Sequence, residues 1–378
     1  MRILGIEKDG GANNHYRILQ PLYKLQEHGL ANILTIRSEA MIDLEFATEK
    51  IMEAEIILLQ CPFGTEWLNL IKVVRKHGKI FVLDYDDDPF YVSPFNPAYR
   101  HFGTEEASYD FGGEGEKVPI WEDQVNGFFI ERNITRRDIF KTAIKNADMV
   151  SATTDILKDR FSLLSKNAVA LPNLMDFDLY PKCDFKKKEI RIGWQGGSSH
   201  YEDLYMIHGV IRKILEKFPD VKLVFWGDMR FHGLFKGIPP ERIEWHSWVS
   251  HNAYPYKLAT LNLDIGLCPL VDNDFNRNKS AIKYFEYTAI GTPTIASNMP
   301  PYSPVMTNDK DGMLVNNDSD SWYYAIVELI KNTRKRQALA KNAYDNVAEN
   351  YSIDKKIHLW HDAYDKLLKK KVEDLVEV

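Results

Sequence analysis

Lys279, Lys283 and Glu286 stand four and three residues apart in the run 276–293, NRNKSAIKYFEYTAIGTP. Those spacings bring all three side chains to roughly one side of a helix. Ile282, Phe285, Ala289 and Ile290 supply the helix's apolar positions, and Gly291-Thr292-Pro293 ends it and starts a strand. Ser280 suits the N-cap, which would leave the backbone N–H groups of Ser280, Ala281 and Ile282 free to meet an anion. With two lysines beside that helix start, the fitting ligand is a diphosphate. A carboxylate one turn further along, Glu286, can accept from two neighbouring hydroxyls, as on a ribose. The competing reading is a solvated face whose Lys–Glu pair contributes roughly 0.2–0.5 kcal/mol.

Two glycine turns are the next feature. Asp9-Gly10-Gly11-Ala12-Asn13-Asn14 follows the first apolar run, and Gly193-Trp194-Gln195-Gly196-Gly197-Ser198-Ser199-His200 follows a later one. Gly10, Gly11, Gly196 and Gly197 let a ligand approach the backbone, and a helix start after each turn favours anions. Neither turn is GxGxxG or a Walker loop, so a dinucleotide or ATP phosphate-loop reading loses its main support. His200 is either a hydrogen-bonding turn residue or a catalyst.

Asp84-Tyr85-Asp86-Asp87-Asp88 contains a DxD pattern at the end of a strand. Asp86, Asp87 and Asp88 are open to three readings: an acceptor-side or structural role, a solvated acidic loop, or a hard-cation site for Mg²⁺ or Mn²⁺. Trp245 and Trp248 could stack a nucleobase or pack in the core or at its rim. Arg132, Arg136 and Arg137, and Lys369, Lys370 and Lys371, are basic clusters that suit solvated helix faces or contact with an anionic surface. No Ser/His/Asp or Cys/His constellation is evident, which argues against a protein nucleophile.

Positioning these residues takes a large scaffold. At 378 residues and 44% hydrophobic composition, the chain is long enough for two cores and too apolar to be mainly disordered. The net charge of −6 gives no bulk argument for nucleic acid. Three scattered cysteines (Cys61, Cys183 and Cys268) make neither a disulfide framework nor a zinc site, which fits a reducing, cytoplasmic setting. No apolar run is long enough to span a bilayer, and the polar turn after residue 6 is unlike a signal peptide.

Apolar runs at 2–6, 55–59, 79–83 and 148–152 alternate with helical patterns, which implies a parallel, doubly wound α/β sheet. Leu19, Leu22 and Tyr23 fall at helical spacing after the first run. After a charged linker at 186–188, the pattern restarts at 189–194 and continues with strands at 221–226, 242–245, 263–267 and 292–296. A helix over 321–331 carries Trp322, Ala325, Ile326, Leu329 and Ile330 on one face, read as core packing. The irregular stretch from about 89 to 125 is too long for a plain connector. Two α/β halves, each opening with a strand and a glycine turn, should face each other across a cleft.

The segment KYFEYTAIGTPTIAS resembles the donor-binding helix of retaining GT-B glycosyltransferases, family 4 in particular. Gly10-Gly11 is similar to that family's N-terminal glycine loop. Leu171-Pro172-Asn173-Leu174-Met175-Asp176 resembles its inter-domain junction, and Asp311-Gly312-Met313-Leu314-Val315 resembles a later strand. The resemblance spans nearly the whole chain and is more specific in the second half. It implies an acceptor-side domain over 1–173, with a C-terminal helix at about 352–378 packing back on it. A donor domain would occupy 174–351.

The resemblance also implies transfer of a sugar from a nucleoside-diphosphate sugar, UDP-linked above others, to a glycan, lipid-linked or other hydroxyl acceptor with retention. By this reading Lys279, Lys283 and His200 do catalytic work. Gly10, Gly11, Gly196, Gly197, Asn278, Ser280, Ala281, Ile282 and Glu286 hold the donor, and Asp86, Asp87 and Asp88 lie on the acceptor side. No metal is required, although Mg²⁺ or Mn²⁺ stays open. Two departures stand out. Asn278 occupies the place of the family's first Glu, and Ser198, Ser199 and His200 stand where many members carry Arg and Lys. Lys279 and Lys283 would then supply the missing charge. A DNA-base glucosyltransferase, a sugar-nucleotide epimerase and a silent nucleotide-sugar-binding scaffold are the alternatives, and peripheral membrane contact is a further partner class.

Overall fold

Fully buried apolar runs form the centre of each sheet. β1 (Arg2–Glu7), β2 (Asn32–Arg37), β3 (Ile56–Gln60) and β4 (Ile80–Tyr85) come first, and β3 and β4 are buried at every position. Such runs, rather than alternating ones, belong to strands covered by helices on both faces. A small antiparallel hairpin follows, β5 (Ala107–Tyr109) and β6 (Val118–Trp121). β7 (Met149–Ala152) and β8 (Ala168–Ala170) then complete a parallel sheet of order β2-β1-β3-β4-β7-β8. The computed structural model describes residues 1–8, 11–60, 65–110, 115–181, 189–227 and 229–376. Gly10 and the charged linker at 186–188 lie outside them.

The second half repeats the plan. β9 (Ile190–Gly196), β10 (Val221–Gly227), β11 (Ile243–His246), β12 (Ile265–Cys268), β13 (Thr294–Ser297) and β14 (Met313–Val315) form a parallel sheet of order β11-β10-β9-β12-β13-β14. In both sheets the strand order reverses beside the opening strand, between β1 and β3 and between β9 and β12. Doubly wound sheets bind ligands just beyond the carboxyl ends of the strands at such a switch point. The second glycine turn leaves from the end of β9, and Gly11 to Asn14, the described part of the first, follow β1 in the chain.

Alternate residues of the first sheet face two cores. Leu4, Ile6, Ile57 and Leu83 pack against Ile71, Val74, Phe140 and Ile144 from helices on one side. Ile3, Leu58 and Val82 pack on the other with Ile18, Leu22 and Leu25, and with Ile353, Ile357, Trp360 and Tyr364 from the chain's end. Each such side chain, fully buried, contributes on the order of 1.5–3 kcal/mol. Leu171 and Leu174 belong to this core, whereas Met175 and Tyr180 pack into the second domain. Within the helix Ser319–Lys331, Trp322, Ala325, Ile326, Leu329 and Ile330 are buried together, as their spacing predicts.

A buried arginine ties the first domain to the inter-domain junction. Arg17 donates to Asp84 at 2.8 and 2.6 Å, to the Leu171 carbonyl at 2.6 Å and to Asn173 at 3.0 Å. Its guanidinium also lies 4.8 Å from the Trp360 ring centre. Asp84, the first carboxylate of the DxD pattern, therefore faces inward. Removing one partner of such a buried pair costs about 3–5 kcal/mol.

The helical spacing of Leu22 and Tyr23 holds in the helix Gln20–Glu27, with Leu22 buried and Tyr23 exposed. One local expectation differs. Ser280 does not cap a helix: the helix runs Ile282–Ala289 after Ala281, and the Ser280 hydroxyl instead accepts from the Asn173 amide at 2.9 Å.

Candidate functional site

The cleft between the two sheets holds a cavity of about 460 Å³, within the roughly 300–1,000 Å³ of ordinary ligand sites. Gly11, Asn13, Tyr16, Asp86 and Asp87 form its first-domain wall. Gln195, Gly196, Gly197, His200, Lys279, Ser280, Ile282, Lys283 and Glu286 form the main part of its second-domain wall. The structure thus gathers both glycine turns and the Lys–Lys–Glu helix around one space.

The glycines there differ in what they require. A Cβ on Gly196 would meet Trp194 at 2.6 Å, so that position is closed by the protein itself. At Gly197 the backbone is ordinary and extended, and no atom lies within 4 Å of where a Cβ would stand. The fold does not demand a glycine at 197, yet the residue faces the cavity.

Lys283 is half-buried and makes no hydrogen bond or ion pair among the described residues; its ammonium lies 5.3 Å from the Trp194 ring centre. Burial, reinforced by Lys279, pulls its pKa down to about 8 against the pull of Cys268 and nearby carboxylates. A cation held out of water without a partner gains most from an anionic ligand. Lys279 is 3.5 Å from Asp87 and 4.5 Å from the Phe275 ring centre.

His200 sits at the same corner, its Nδ1 2.7 Å from Asp203. Burial and the charges of Lys283 and Lys279 bring its pKa to about 4 despite that partner, so the ring is neutral at pH 7. With Asp203 ionised, Nδ1–H donates to it and Nε2 keeps a lone pair. Asp203 also accepts from the Val271 N–H at 2.7 Å and the Asn276 amide at 2.9 Å.

Glu286 is buried in a network that the sequence reading missed. Tyr16 of the first domain donates to Oε1 at 2.8 Å. Gln195 and Tyr254 each donate to Oε2 at 2.8 Å. Burial raises the carboxyl to about pH 7, opposed by those three donors and by Lys283. Tyr16 also lies 3.1 Å from the Tyr180 hydroxyl. The signal for Tyr16 was faint: it lies on a wide π-type turn, His15–Leu19, directly after the first glycine loop. Such turns are frequent at functional sites. Nearby, the rings of His15 and His251 meet across the cleft with centres 4.0 Å apart.

Other expected residues separate. Asn278 is fully buried behind the wall, its amide donating to the Asp274 carbonyl at 2.5 Å while Oδ1 is unpartnered. Ala281 packs in the second-domain core. Trp248 is 51% exposed at the cavity rim, whereas Trp245 packs against Phe225 and His232. Lys369 pairs with Asp365, and Arg137 bonds Thr104 and the Phe90 carbonyl.

In the acidic run, Asp86 accepts from Asn173 at 3.2 Å, and burial together with Asp87 raises it to about 7. Asp88 accepts from the Phe90 N–H at 2.9 Å and pairs with Arg160 at 3.2 Å; it lines a smaller adjoining cavity instead. Among the described residues, the carboxylates close enough to share a cation are Asp176, Asp178 and Asp354, and Lys24 already pairs with two of them.

Residues 190–332 match the family model described as glycosyl transferases group 1. Among solved structures, sucrose-phosphate synthase from Thermosynechococcus elongatus is 14% identical, with a TM-score of 0.66 over 98% of this chain and 100% of that one. Anabaena HepE in complex with UDP-glucose is 12% identical, with a TM-score of 0.63 over 100% of both chains. A Rickettsia africae glycosyltransferase is 12% identical, with a TM-score of 0.65 over 97% and 98%. No curated protein sequence matches. The likeness extends over both domains, and the fold is GT-B.

Proposed function

We propose that this protein is a glycosyltransferase that moves a sugar from a nucleoside-diphosphate sugar, UDP-linked, to an acceptor hydroxyl held by the first domain, with retention of configuration. The observation that carries the reading is Lys283, an ammonium with no ion-pair or hydrogen-bond partner among the described residues, on the wall of a cavity of about 460 Å³ and one turn before a buried carboxylate. The bound UDP-glucose of the HepE structure supports the choice of nucleotide.

In this reaction the bond from the sugar's anomeric carbon to the β-phosphate oxygen breaks as the acceptor oxygen bonds the same carbon. The acceptor's proton passes to the departing phosphate, so no protein nucleophile is needed. Lys279, Lys283 and the amides of the glycine turns stabilise the growing negative charge, the term that usually dominates such catalysis. Those cations do the work a metal would do elsewhere, so none is required. His200 at neutral pH offers a hydrogen-bond acceptor to the sugar, and Glu286 accepts from the ribose. No described helix is long and apolar enough to cross a membrane; the reading places the enzyme in the cytoplasm, with glycan or lipid-linked acceptors and membrane contact at most peripheral.

A thermal-shift screen against UDP-, GDP-, ADP- and dTDP-sugars tests this without a known acceptor. At a hundredfold excess over Kd the stabilisation is about 2.7 kcal/mol. One nucleotide series should raise Tm. No shift from any of them would overturn the donor site itself.

A further inference from the structure

A second cavity of about 160 Å³ adjoins the first on the side of the first domain. We propose that it is an acceptor subsite for one uncharged or amine-bearing sugar ring, with Asp86 receiving a hydroxyl or ammonium beside the reacting hydroxyl and turning away phosphorylated acceptors. This deepens the glycosyltransferase reading and rests on it.

Asn13, Asp86 and Asp87 wall both cavities, so their contents meet there. A donor's anomeric carbon in the first and an acceptor hydroxyl in the second would come together beside Asp86. The second space is well under the roughly 300–1,000 Å³ of drug-sized sites, so it encloses one ring and leaves any longer glycan outside. Its lining suits a sugar on chemical grounds. Phe102 and Phe275 offer apolar surface to ring C–H groups, and Asn13, Gln60 and Asn96 offer amides to hydroxyls. Gln60 is 5% exposed, and its side chain makes no hydrogen bond among the described residues. A buried polar group without a partner favours a ligand that supplies one.

Charge narrows the class. Among the described residues, Asp86, Asp87 and Asp88 line this cavity together with one ammonium-bearing side chain, Lys8. Asp88 is neutralised by Arg160 and Asp87 by Lys279. Asp84, just behind, is neutralised by Arg17. Among the described residues the Asp86 carboxylate accepts a hydrogen bond only from the Asn173 amide, and that amide also reaches Ser280 on the donor wall. The carboxylate with spare lone pairs is thus the one at the seam. It would accept a hydrogen bond from a hydroxyl or an ammonium and repel a phosphate. Its pKa of about 7 follows from the same burial and lets it ionise near neutrality.

The test uses the full-length protein and the donor identified by melting shift, with free sugars, amino sugars and sugar phosphates as acceptors. Neutral and amino sugars should be used, with sugar phosphates poorer by about tenfold or more in kcat/KM. Asp86→Asn should lower kcat and narrow that gap. Phe102→Trp, which fills the cavity, should raise the acceptor KM while the nucleotide-induced melting shift stays as in the parent. Gln60→Leu provides a second route should Phe102→Trp misfold, again with a raised acceptor KM. Preference for sugar phosphates overturns the proposal. So does an unchanged acceptor KM in both cavity variants, or rejection of every sugar by an enzyme that still hydrolyses its donor. Failure of any nucleotide to bind removes the glycosyltransferase reading itself, and this inference with it.

Discussion

The second-domain wall of the cleft draws Lys279, Lys283 and Glu286 from one run of eight residues, on and just before a single helix. The first-domain wall draws Asn13, Tyr16 and Asp86 from beyond the ends of two strands, β1 and β4. The first of these walls is cationic and the other carries Asp86 and Asp87. A wall that stabilises a departing diphosphate needs concentrated positive charge, and a short helical motif supplies it compactly. The wall that takes the acceptor needs shape and hydrogen-bond acceptors, which separate loops can supply. The family match stops at that same divide, covering 190–332, while the fold likeness continues through both halves.

The comparison breaks most sharply at Lys283. Lys283→Met keeps the apolar stem over Trp194 and removes the charge. Turnover should fall by about 10²–10³-fold, the scale of losing one charge-stabilising group. Stability should hold or rise, because a desolvated ammonium without a partner is unfavourable. A Tm loss in proportion to the activity loss would make Lys283 a structural residue.

Glu286→Gln should come next, weakening nucleotide binding by about tenfold, which is about 1.4 kcal/mol. The pH dependence carries the same information. Ribose recognition needs the carboxylate, so affinity should fall below about pH 7; diphosphate binding needs the ammonium, so it should also fall above about pH 8. The acid limb should vanish in Glu286→Gln and the alkaline limb in Lys283→Met, measured by titration calorimetry. The stability signs are opposite to simple ion pairing. Glu286, raised on folding, favours the native state as pH drops from about 7 towards its ordinary range near 4.5. Lys283, lowered on folding, favours it as pH climbs from about 8 towards 10.5. Flat affinity across that range would remove both roles.

A smaller effect separates the two kinds of glycine. At Gly197 a side chain meets open space in the cavity, so Gly197→Val should lower nucleotide affinity several-fold with Tm unchanged. The paired-strand glycine Gly227, whose Cβ would stand 2.2 Å from the Gly196 carbonyl oxygen, should behave in reverse and lose stability. Similar Tm losses at both positions would mean that the turn, not the ligand, requires Gly197.

These contrasts also explain what could be read from the sequence. β1, β3 and β4 were visible because parallel strands buried on both faces are continuous apolar runs. β2 and β8 were missed: both are edge strands, only partly buried over most of their length, with no such contrast. Lys279, Lys283 and Glu286 were legible from local spacing. Tyr16, Gln195 and Tyr254, which surround Glu286, converge from three places far apart in sequence, and nothing local marks a tyrosine as a carboxylate's partner. The expected Ser280 cap failed because its hydroxyl is engaged by Asn173, a contact between parts 107 residues apart. Asn278 was placed in the cavity by its position in a motif, and packing put it behind the wall.

Tyr16 joins the two walls, and its replacement should have the mildest effect on nucleotide binding. Tyr16→Phe removes one buried hydroxyl bond to Glu286 and one to Tyr180, which together should lower stability by about 1–3 kcal/mol, at 0.5–1.5 kcal/mol for each bond. Its consequence for binding has the opposite sign. Among the described residues Oε1 of Glu286 accepts only from Tyr16, so a ribose hydroxyl must share that oxygen with the tyrosine or displace it. Freeing it should leave nucleotide affinity equal or somewhat higher while Tm falls. If affinity instead drops as far as in Glu286→Gln, the tyrosine itself holds the donor. The division between a donor wall and an acceptor wall would then run through Tyr16, with the first domain contributing directly to nucleotide recognition.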